Sequence, residues 1–331
     1  MKRLISILVS LAILAVIYWK IDFQGLLRVF LNCDPVWMTL SLSMVVPITL
    51  ITAWRLQQLM PASSPPSPHL PLPPSPPSSA LSFPEANRLI LAASTLNMVL
   101  PSKMGDIAKA YFMRERGHLS GSLSLSLVIF EKACDMLSLL LWCAFGLLLY
   151  PQKDWLFWVM TFSILAGLAI GGLLLASRSF AQLFFFVGQT ISPKKLRAKL
   201  AKMQTAWQEM HTYFWRDRLQ LLKVTTTSIF IWFLHLLQIW FFILALKAWV
   251  PFLTNLALSP LAILAGLLPL TFAGVGTRDA ALIVFYQPYF AAPVAAALGV
   301  LCTSRYLLPA IGGLPFLGQF LSTVQTLKKR P

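Results

Sequence analysis

The stretch from Ser120 to Tyr150 reads SGSLSLSLVIFEKACDMLSLLLWCAFGLLLY and contains three charged residues, Glu131, Lys132 and Asp135. An apolar run of this length predicts a membrane-spanning α-helix, because about 20 apolar residues cross the hydrocarbon core. The run exceeds that requirement, so the helix has room to tilt or to protrude from the bilayer. The stretch therefore predicts an all-α integral membrane fold.

The composition of the whole chain agrees with this interpretation. The 331 residues are 57% hydrophobic and 11% charged, and the mean hydropathy is +0.73, whereas a soluble domain carries roughly 25% charged residues. The net charge of +16 is concentrated at 178–223 and 328–330, as expected for cytoplasmic connections. We expect anionic lipid headgroups as partners at this basic cytoplasmic face, and no nucleic acid. The scattered cysteines show no zinc spacing, and we expect neither metal nor cofactor.

The apolar pattern predicts about six full spans, at 4–19, 36–59, 120–150, 155–176, 219–250 and 294–322. The basic residues place the N- and C-termini in the cytoplasm of a multi-pass protein of the cell (plasma or inner) membrane. Two further apolar segments, 86–113 and 256–290, lie between these spans. The first must then enter and leave the membrane on the cytoplasmic side, and the second must enter and leave it on the opposite side. Each is either a re-entrant hairpin or a pair of short spans.

The chain is predicted to form a single transmembrane domain over 1–331, with two cytoplasmic segments. Residues 61–84 include ten prolines interleaved with serine, and such a composition favours an exposed polyproline-like insert. A basic cytoplasmic loop is predicted at 178–218. The remaining segments are predicted to form inverted pseudo-repeats, 36–150 and 219–322, because the first broken segment follows a span that ends inside and the second follows a span that ends outside.

The two broken segments share a pattern of residues. Each contains an apolar half-helix, a Leu-Pro break, a glycine-containing turn, and an acid beside a base in a second half-helix. Broken backbone at membrane depth lines a cavity or is buried in protein, and such segments in two halves indicate a transporter's binding site. The candidate headgroup-binding residues here are Asn97, Lys103, Gly105, Asp106 and Lys109 in the first segment and Gly274, Gly276, Arg278 and Asp279 in the second.

Charged residues within the full spans extend this candidate site. Glu131, Lys132 and Asp135 either form a stabilising ion pair or contact a lipid headgroup, and Lys132 pairs with Asp135 at the i, i+3 spacing. The acids and bases of the broken segments are likewise either helix caps with basic partners or headgroup ligands. Arg305 is either an intramembrane cation or a side chain that snorkels to the interface. Arg55, beside Trp54, is predicted to anchor the cytoplasmic end of its span.

Three separated motifs resemble one known family. They are Asn97…Leu100-Pro101…Gly105-Asp106…Lys109-Ala110, then Glu131-Lys132…Asp135, and then Leu268-Pro269…Gly274-Val275-Gly276-Thr277-Arg278-Asp279-Ala280. Together they resemble the flippase-like transmembrane domain of the lysylphosphatidylglycerol synthase family, over about 36–322. Lys103, Lys109 and Lys132 stand where arginine is commoner in that family, and Asp279 replaces the usual glutamate. Ala273 replaces a glycine, and the proline-rich insert is not typical.

The resemblance implies a flippase-like protein that moves an amino- or glyco-modified lipid, or a polyprenyl-phosphate-linked lipid, between leaflets. It implies transport without lipid synthesis, since the chain has no room for the family's soluble aminoacyltransferase domain. No DxD, HExxH, GxSxG or P-loop motif is found, so no enzymatic activity is predicted. Two alternatives stay open: a membrane-embedded lipid-phosphate glycosyltransferase, and a non-catalytic accessory subunit of envelope-lipid synthesis.

Overall fold

A computed structural model describes residues 23–60, 81–99, 104–117, 121–150, 153–268 and 276–318. In these ranges the α-helices are α1 (Phe23–Leu31), α2 (Pro35–Ser43), α3 (Val45–Leu59), α4 (Phe83–Val99), α5 (Met104–Gly117), α6 (Gly121–Leu149), α7 (Trp155–Ala176), α8 (Arg178–Ile191), α9 (Lys194–Arg216), α10 (Arg218–Ala245), α11 (Phe252–Gly266), α12 (Thr277–Tyr286) and α13 (Ala292–Gly312), followed by a 3-10 turn at Leu314–Phe316. The described residues contain no β-strand. The predicted all-α polytopic membrane fold is confirmed.

Five of the six predicted spans correspond to helical stretches long and apolar enough to cross a membrane. These are Pro35–Leu59, Leu123–Leu149, Trp155–Ala176, Arg218–Ala245 and Ala292–Phe316. The predicted span 4–19 lies outside the described residues. The span predicted to reach 250 ends at Ala245, because the chain turns through Lys247 at a φ of 55° before the next helix.

Local sequence explains where several helices begin. Asp34 caps α2, since its Oδ1 accepts hydrogen bonds from the backbone N–H groups of Val36 (2.9 Å) and Trp37 (3.1 Å). Pro35 is suited to the first position of the helix, because it has no backbone N–H that would need a partner there. Ser177 breaks the helix between α7 and α8, where its hydroxyl accepts from the N–H of Phe180. These caps stabilise N–H groups that have no partner within the first helical turn.

The predicted proline-rich insert is shorter than 61–84, because α4 already begins at Phe83. The backbone N–H and hydroxyl of Ser82 both donate to the Glu85 carboxylate, at 3.3 and 3.0 Å. This pairing fixes the start of α4. The last residues of the predicted insert, from Phe83 on, therefore belong to α4 and not to a linker. The rest of the insert, 61–80, lies outside the described residues.

Each broken segment forms two short helices that pack against one another. The first gives α4 and α5, with 17 and 14 residues, and the second gives α11 and α12, with 15 and 10 residues. At about 1.5 Å per residue these helices are shorter than the roughly 30 Å hydrocarbon core. The predicted breaks at 100–103 and 269–275 lie outside the described residues.

The described residues group into two compact units. One unit comprises the described residues within Met1–Ile48, Met136–Ala169 and Ile229–Leu308, and the other those within Thr49–Asp135, Ile170–Ser228 and Pro309–Pro331. The first has an apolar core that includes Leu139, Cys143, Ile239, Phe242 and Leu298. The second has its own core, which includes Leu56, Leu89, Met113, Leu127 and Phe130. The second broken segment lies in the first unit, and the first broken segment in the second.

Candidate functional site

Three helices bring a buried group of charges together in the second unit. Arg55 of α3, Lys109 of α5 and Glu131 of α6 have side chains only 2%, 2% and 1% exposed. Arg55 Nη2 lies 2.8 Å from one oxygen of Glu131, and Lys109 Nζ pairs with the other oxygen. Glu131 therefore bridges two cations. This pairing offsets part of the high cost of placing a charge inside a membrane protein.

A second layer of charges lies at the more exposed edge of this group. Lys132 Nζ is 3.8 Å from Asp106 and 3.7 Å from Asp135, and its side chain is 45% exposed. Arg55 also pairs with Asp135, and Lys109 lies 4.0 Å from Asp106. The predicted i, i+3 pairing of Lys132 with Asp135 is confirmed.

We call these six residues, Arg55, Asp106, Lys109, Glu131, Lys132 and Asp135, the ion cluster. Three cations oppose three carboxylates, so the formal charge of the cluster is zero. Its buried part is internally paired, whereas its edge at Lys132, Asp135 and Asp106 is 45%, 23% and 15% exposed. A charged ligand could reach the edge without dismantling the buried part.

The prediction that Arg55 anchors the end of its span at the interface is wrong. Trp54 is 43% exposed, but Arg55 is only 2% exposed and lies at the centre of the ion cluster. It also donates a 2.8 Å hydrogen bond to the Ser228 hydroxyl of α10. Adjacent helical residues point about 100° apart, so the exposure of Trp54 does not indicate whether the side chain of Arg55 is exposed or buried. One available signal was charge balance, since Glu131 and Asp135 outnumber the one lysine beside them.

Asn97 and Gly105 join the two short helices of the first broken segment. The Asn97 side-chain oxygen accepts a 3.0 Å hydrogen bond from the Gly105 backbone N–H. A Cβ atom at position 105 would lie 2.8 Å from that oxygen and closer still to the Ala93 carbonyl. Glycine is therefore required for α4 and α5 to approach, and Asn97 has a structural contact at this junction. Lys103 lies outside the described residues.

The charges of the second broken segment are paired with each other inside the first unit. Arg278 donates to Asp279 Oδ1 from Nε (3.0 Å) and Nη2 (2.7 Å), while Asp279 Oδ2 accepts from the Gly276 N–H at 3.0 Å. Gly276 has a φ of 102°, a conformation that favours glycine. Asp279 thus caps α12, as the capping alternative predicted. Gly274 lies outside the described residues.

Helix α13 also contacts Arg278. Nη2 of Arg278 also donates to the Gly299 carbonyl and the Thr303 hydroxyl, each at 2.9 Å. Arg305, from the same helix, is 6% exposed and lies near Cys302, as does Arg278. Its burial argues against the snorkelling alternative, because a snorkelling guanidinium would be exposed. Headgroup binding by Arg278, Asp279 and Arg305 stays a prediction.

The structure thus groups most of the predicted charged residues into one set within each unit. Asp106, Lys109, Glu131, Lys132 and Asp135 form one set with the unpredicted Arg55, and Gly276, Arg278 and Asp279 form the other. Among the described residues, no group of three or more His, Cys, Asp or Glu side chains could hold a metal ion. The predicted pseudo-repeats, re-entrant topology and termini stay predictions.

Comparison with known proteins identifies the family. The model of the lysylphosphatidylglycerol synthase transmembrane region matches residues 3–313. A UPF0104 membrane protein of Methanocaldococcus jannaschii is 22% identical, over 94% of this chain and 93% of the relative. The family match covers nearly the whole chain and agrees with its apolar helices. The chain is therefore a multi-pass membrane protein that belongs to the lysylphosphatidylglycerol synthase transmembrane-region family.

Proposed function

We propose that this protein is a flippase-like transporter, without enzymatic activity, that moves a lipid with a charged headgroup between the leaflets of the cell membrane. The observation that carries the proposal is the ion cluster, which places six charges on α3, α5 and α6. Two of these helices belong to candidate spans. Intramembrane charges are costly and most often mark a substrate pathway or a structural pair.

The exposed edge of the ion cluster favours binding of a lipid headgroup over a purely structural role. Lys132 contacts both Asp106 and Asp135 at 3.7–3.8 Å, longer than a direct charge-assisted hydrogen bond. A phosphate could replace these acids as the ion-pair partner of Lys132. A cationic amino group could instead pair with the two acids. The buried Arg55, Lys109 and Glu131 would hold the edge in place.

The substrate classes follow from this charge pattern and from the family. An aminoacylated phospholipid carries both a phosphate and an ammonium group, matching the one lysine and the two aspartates of the edge. A glycosylated or polyprenyl-phosphate-linked lipid would use the lysine chiefly. The proposal includes cytoplasmic N- and C-termini and anionic headgroups at the basic cytoplasmic face, as the basic residues indicate.

Leaflet exchange in proteoliposomes tests the proposal directly. The wild-type protein is reconstituted with fluorescent aminoacylated, glycosylated or polyprenyl-phosphate lipids, and the fraction reached by an external quencher is followed over time. Lys132→Gln should slow exchange about tenfold, the typical effect of losing one charged contact. Lys202→Gln, the same substitution at an exposed position of α9, is the matched control and should leave the rate unchanged.

Each alternative function gives a different outcome in this assay. Conversion of the lipid into a new species would support the glycosyltransferase. Wild-type exchange no faster than in empty liposomes, with all three lipid classes, would refute the transporter and leave the accessory subunit. Exchange that is equally fast in wild type and Lys132→Gln would show that the edge of the ion cluster does not contact the headgroup.

A further inference from the structure

Helices α8 and α9 form an antiparallel hairpin in the second unit. Gln189 of α8 donates to Gln204 of α9 at 2.8 Å, and Arg178 at the start of α8 contacts His211 near the end of α9. The hairpin packs on the rest of the unit through α9, where the rings of Phe214 and Phe130 stack with centroids 4.0 Å apart. The predicted basic loop at 178–218 is thus a helical element.

The outer face of α8 is apolar and uncovered by the described residues. Leu183, Phe184, Phe186, Val187 and Ile191 are 44–80% exposed, whereas Ala181 and Phe185 on the opposite face are buried against the hairpin. A helix of 14 residues is about 21 Å long and too short to cross the bilayer. A short helix with an apolar face beside a basic helix is typical of the membrane interface.

A polar cavity of about 330 Å³ lies between α8 and α9. Its walls include Arg178, Gln182, Gln204, Gln208, His211 and Thr212, and none of the described residues lining it carries a carboxylate. The Arg178 guanidinium is held in place, since Nε donates to His211 Nδ1 at 3.0 Å and Nη2 donates to Thr212 Oγ1 at 2.9 Å. A fixed cation among amide and hydroxyl groups favours an anion.

An apolar cavity of about 220 Å³ shares one wall residue, His211, with the polar cavity. Its walls come from α6, α7, α9 and α10 and include Phe130, Gly172, Leu175, Met210, Phe214 and Leu221. A Cβ atom added at Gly172 would have no neighbour within 4 Å. The glycine therefore leaves open space along α7 that a hydrocarbon chain could fill.

The geometry points to a binding site for one anionic phospholipid on this hairpin, with its phosphate at Arg178 and part of an acyl chain in the apolar cavity beside Gly172. The juxtaposition of a polar cavity lined by Arg178 and an apolar cavity, next to the exposed apolar face of α8, matches the two ends of an amphiphile. The inference rests on the part of the proposed function that places anionic headgroups at the basic cytoplasmic face, but the site shares no residue with the ion cluster, so its failure would not refute the proposed transport.

Thermal stabilisation of the detergent-solubilised protein tests this inference, because a ligand that binds the folded state raises its melting temperature. The probes are dioctanoyl phosphatidylglycerol, dioctanoyl phosphatidylcholine and glycerol phosphate. We expect phosphatidylglycerol to bind most tightly. Arg178→Gln should weaken that binding by at least about tenfold, because a charge-assisted contact is lost.

Two further variants separate the two halves of the site. Gly172→Leu should also weaken phosphatidylglycerol binding about tenfold or more, since Gly172 lines the apolar cavity and a Cβ at this position meets no atom within 4 Å, so the leucine should take up part of the cavity. Lys202→Gln removes a charge elsewhere on α9 and should leave binding unchanged. Each variant is first shown to elute as a monodisperse peak with a cooperative melt.

Several outcomes would overturn the inference. Equal binding of phosphatidylglycerol and phosphatidylcholine would exclude a site selective for anionic headgroups. Glycerol phosphate binding as tightly as phosphatidylglycerol, or an unaffected Gly172→Leu variant, would exclude the acyl chain from the apolar cavity. A loss in Lys202→Gln equal to that in Arg178→Gln would indicate diffuse attraction to the basic helix rather than a defined site.

Discussion

Replacing Arg55 with leucine should strongly destabilise the second unit. The side chain is 2% exposed and contacts Glu131, Asp135 and Ser228. Leucine would leave Glu131, itself 1% exposed, with Lys109 as its remaining close partner among the described residues. Removing one partner of a buried ion pair costs about 3–5 kcal/mol. Arg55→Lys should lower the free energy of unfolding by less, because lysine keeps the positive charge. It should still lower it, since lysine lacks the guanidinium that reaches both carboxylates.

Equilibrium unfolding in mixed detergent and dodecyl sulfate micelles measures this free energy. Lys132→Gln is the control within the same ion cluster, and its 45% exposed side chain should contribute less than about 1 kcal/mol. The double variant Arg55→Leu/Asp135→Leu should lose less than the sum of the single variants, because the two residues are paired.

An interfacial anchor would behave differently from a buried ion-pair partner. If Arg55 only marked the end of its span, Arg55→Leu would change the free energy of unfolding by no more than about 0.5 kcal/mol. That result, or strictly additive effects of Arg55→Leu and Asp135→Leu, would refute the assignment of Arg55 to the ion cluster.

Close contacts elsewhere give further tests by unfolding measurements. Asn97→Ala removes the hydrogen bond from the Gly105 N–H and should lower the free energy of unfolding by about 1 kcal/mol. A substitution that keeps this hydrogen bond should lower it by less. Gly299→Ala would place a Cβ 2.7 Å from Asp279 Oδ1 and should cost about 1–3 kcal/mol through overpacking; a neutral result would show that α13 can move away. Burial and the nearby Arg178 hold the pKa of His211 below its usual 6.5. Protonation therefore favours the unfolded state, and stability should fall as the pH drops below about 6.5. The melting temperature should decline less on acidification in His211→Gln, and equal declines would contradict this reasoning.

Much of the second unit's ion cluster could be predicted from individual segments. Asp106 and Lys109 stand out as charges in an apolar chain, and Glu131, Lys132 and Asp135 lie on one helix where spacing determines which of them meet. The contact between Lys109 and Glu131, by contrast, depends on how α5 packs against α6. The sequence identified both residues without indicating that they bind one another.

Arg55 shows the limit of local reasoning. It is separated from Glu131 by 76 positions and from Asp135 by 80, and its neighbour Trp54 faces outward. No periodicity within α3 indicates which charge on another helix an arginine will meet. In the same way, the cluster of basic residues predicted a cytoplasmic loop at 178–218, but only packing revealed a helical hairpin with a polar and an apolar cavity.

The sequence by itself determined that this is an all-helical membrane protein, where five of its predicted spans lie, and that two segments each form a pair of short helices. These properties depend on the length of apolar runs and on residues such as proline and glycine, which act locally. The tertiary structure decided which charges meet: Arg55 with Glu131 and Asp135 in one unit, and Arg278 with Asp279 beside Gly299 in the other. Those pairings depend on packing between helices distant in the chain, because a buried charge is stabilised by whichever partner lies within a few ångströms of it.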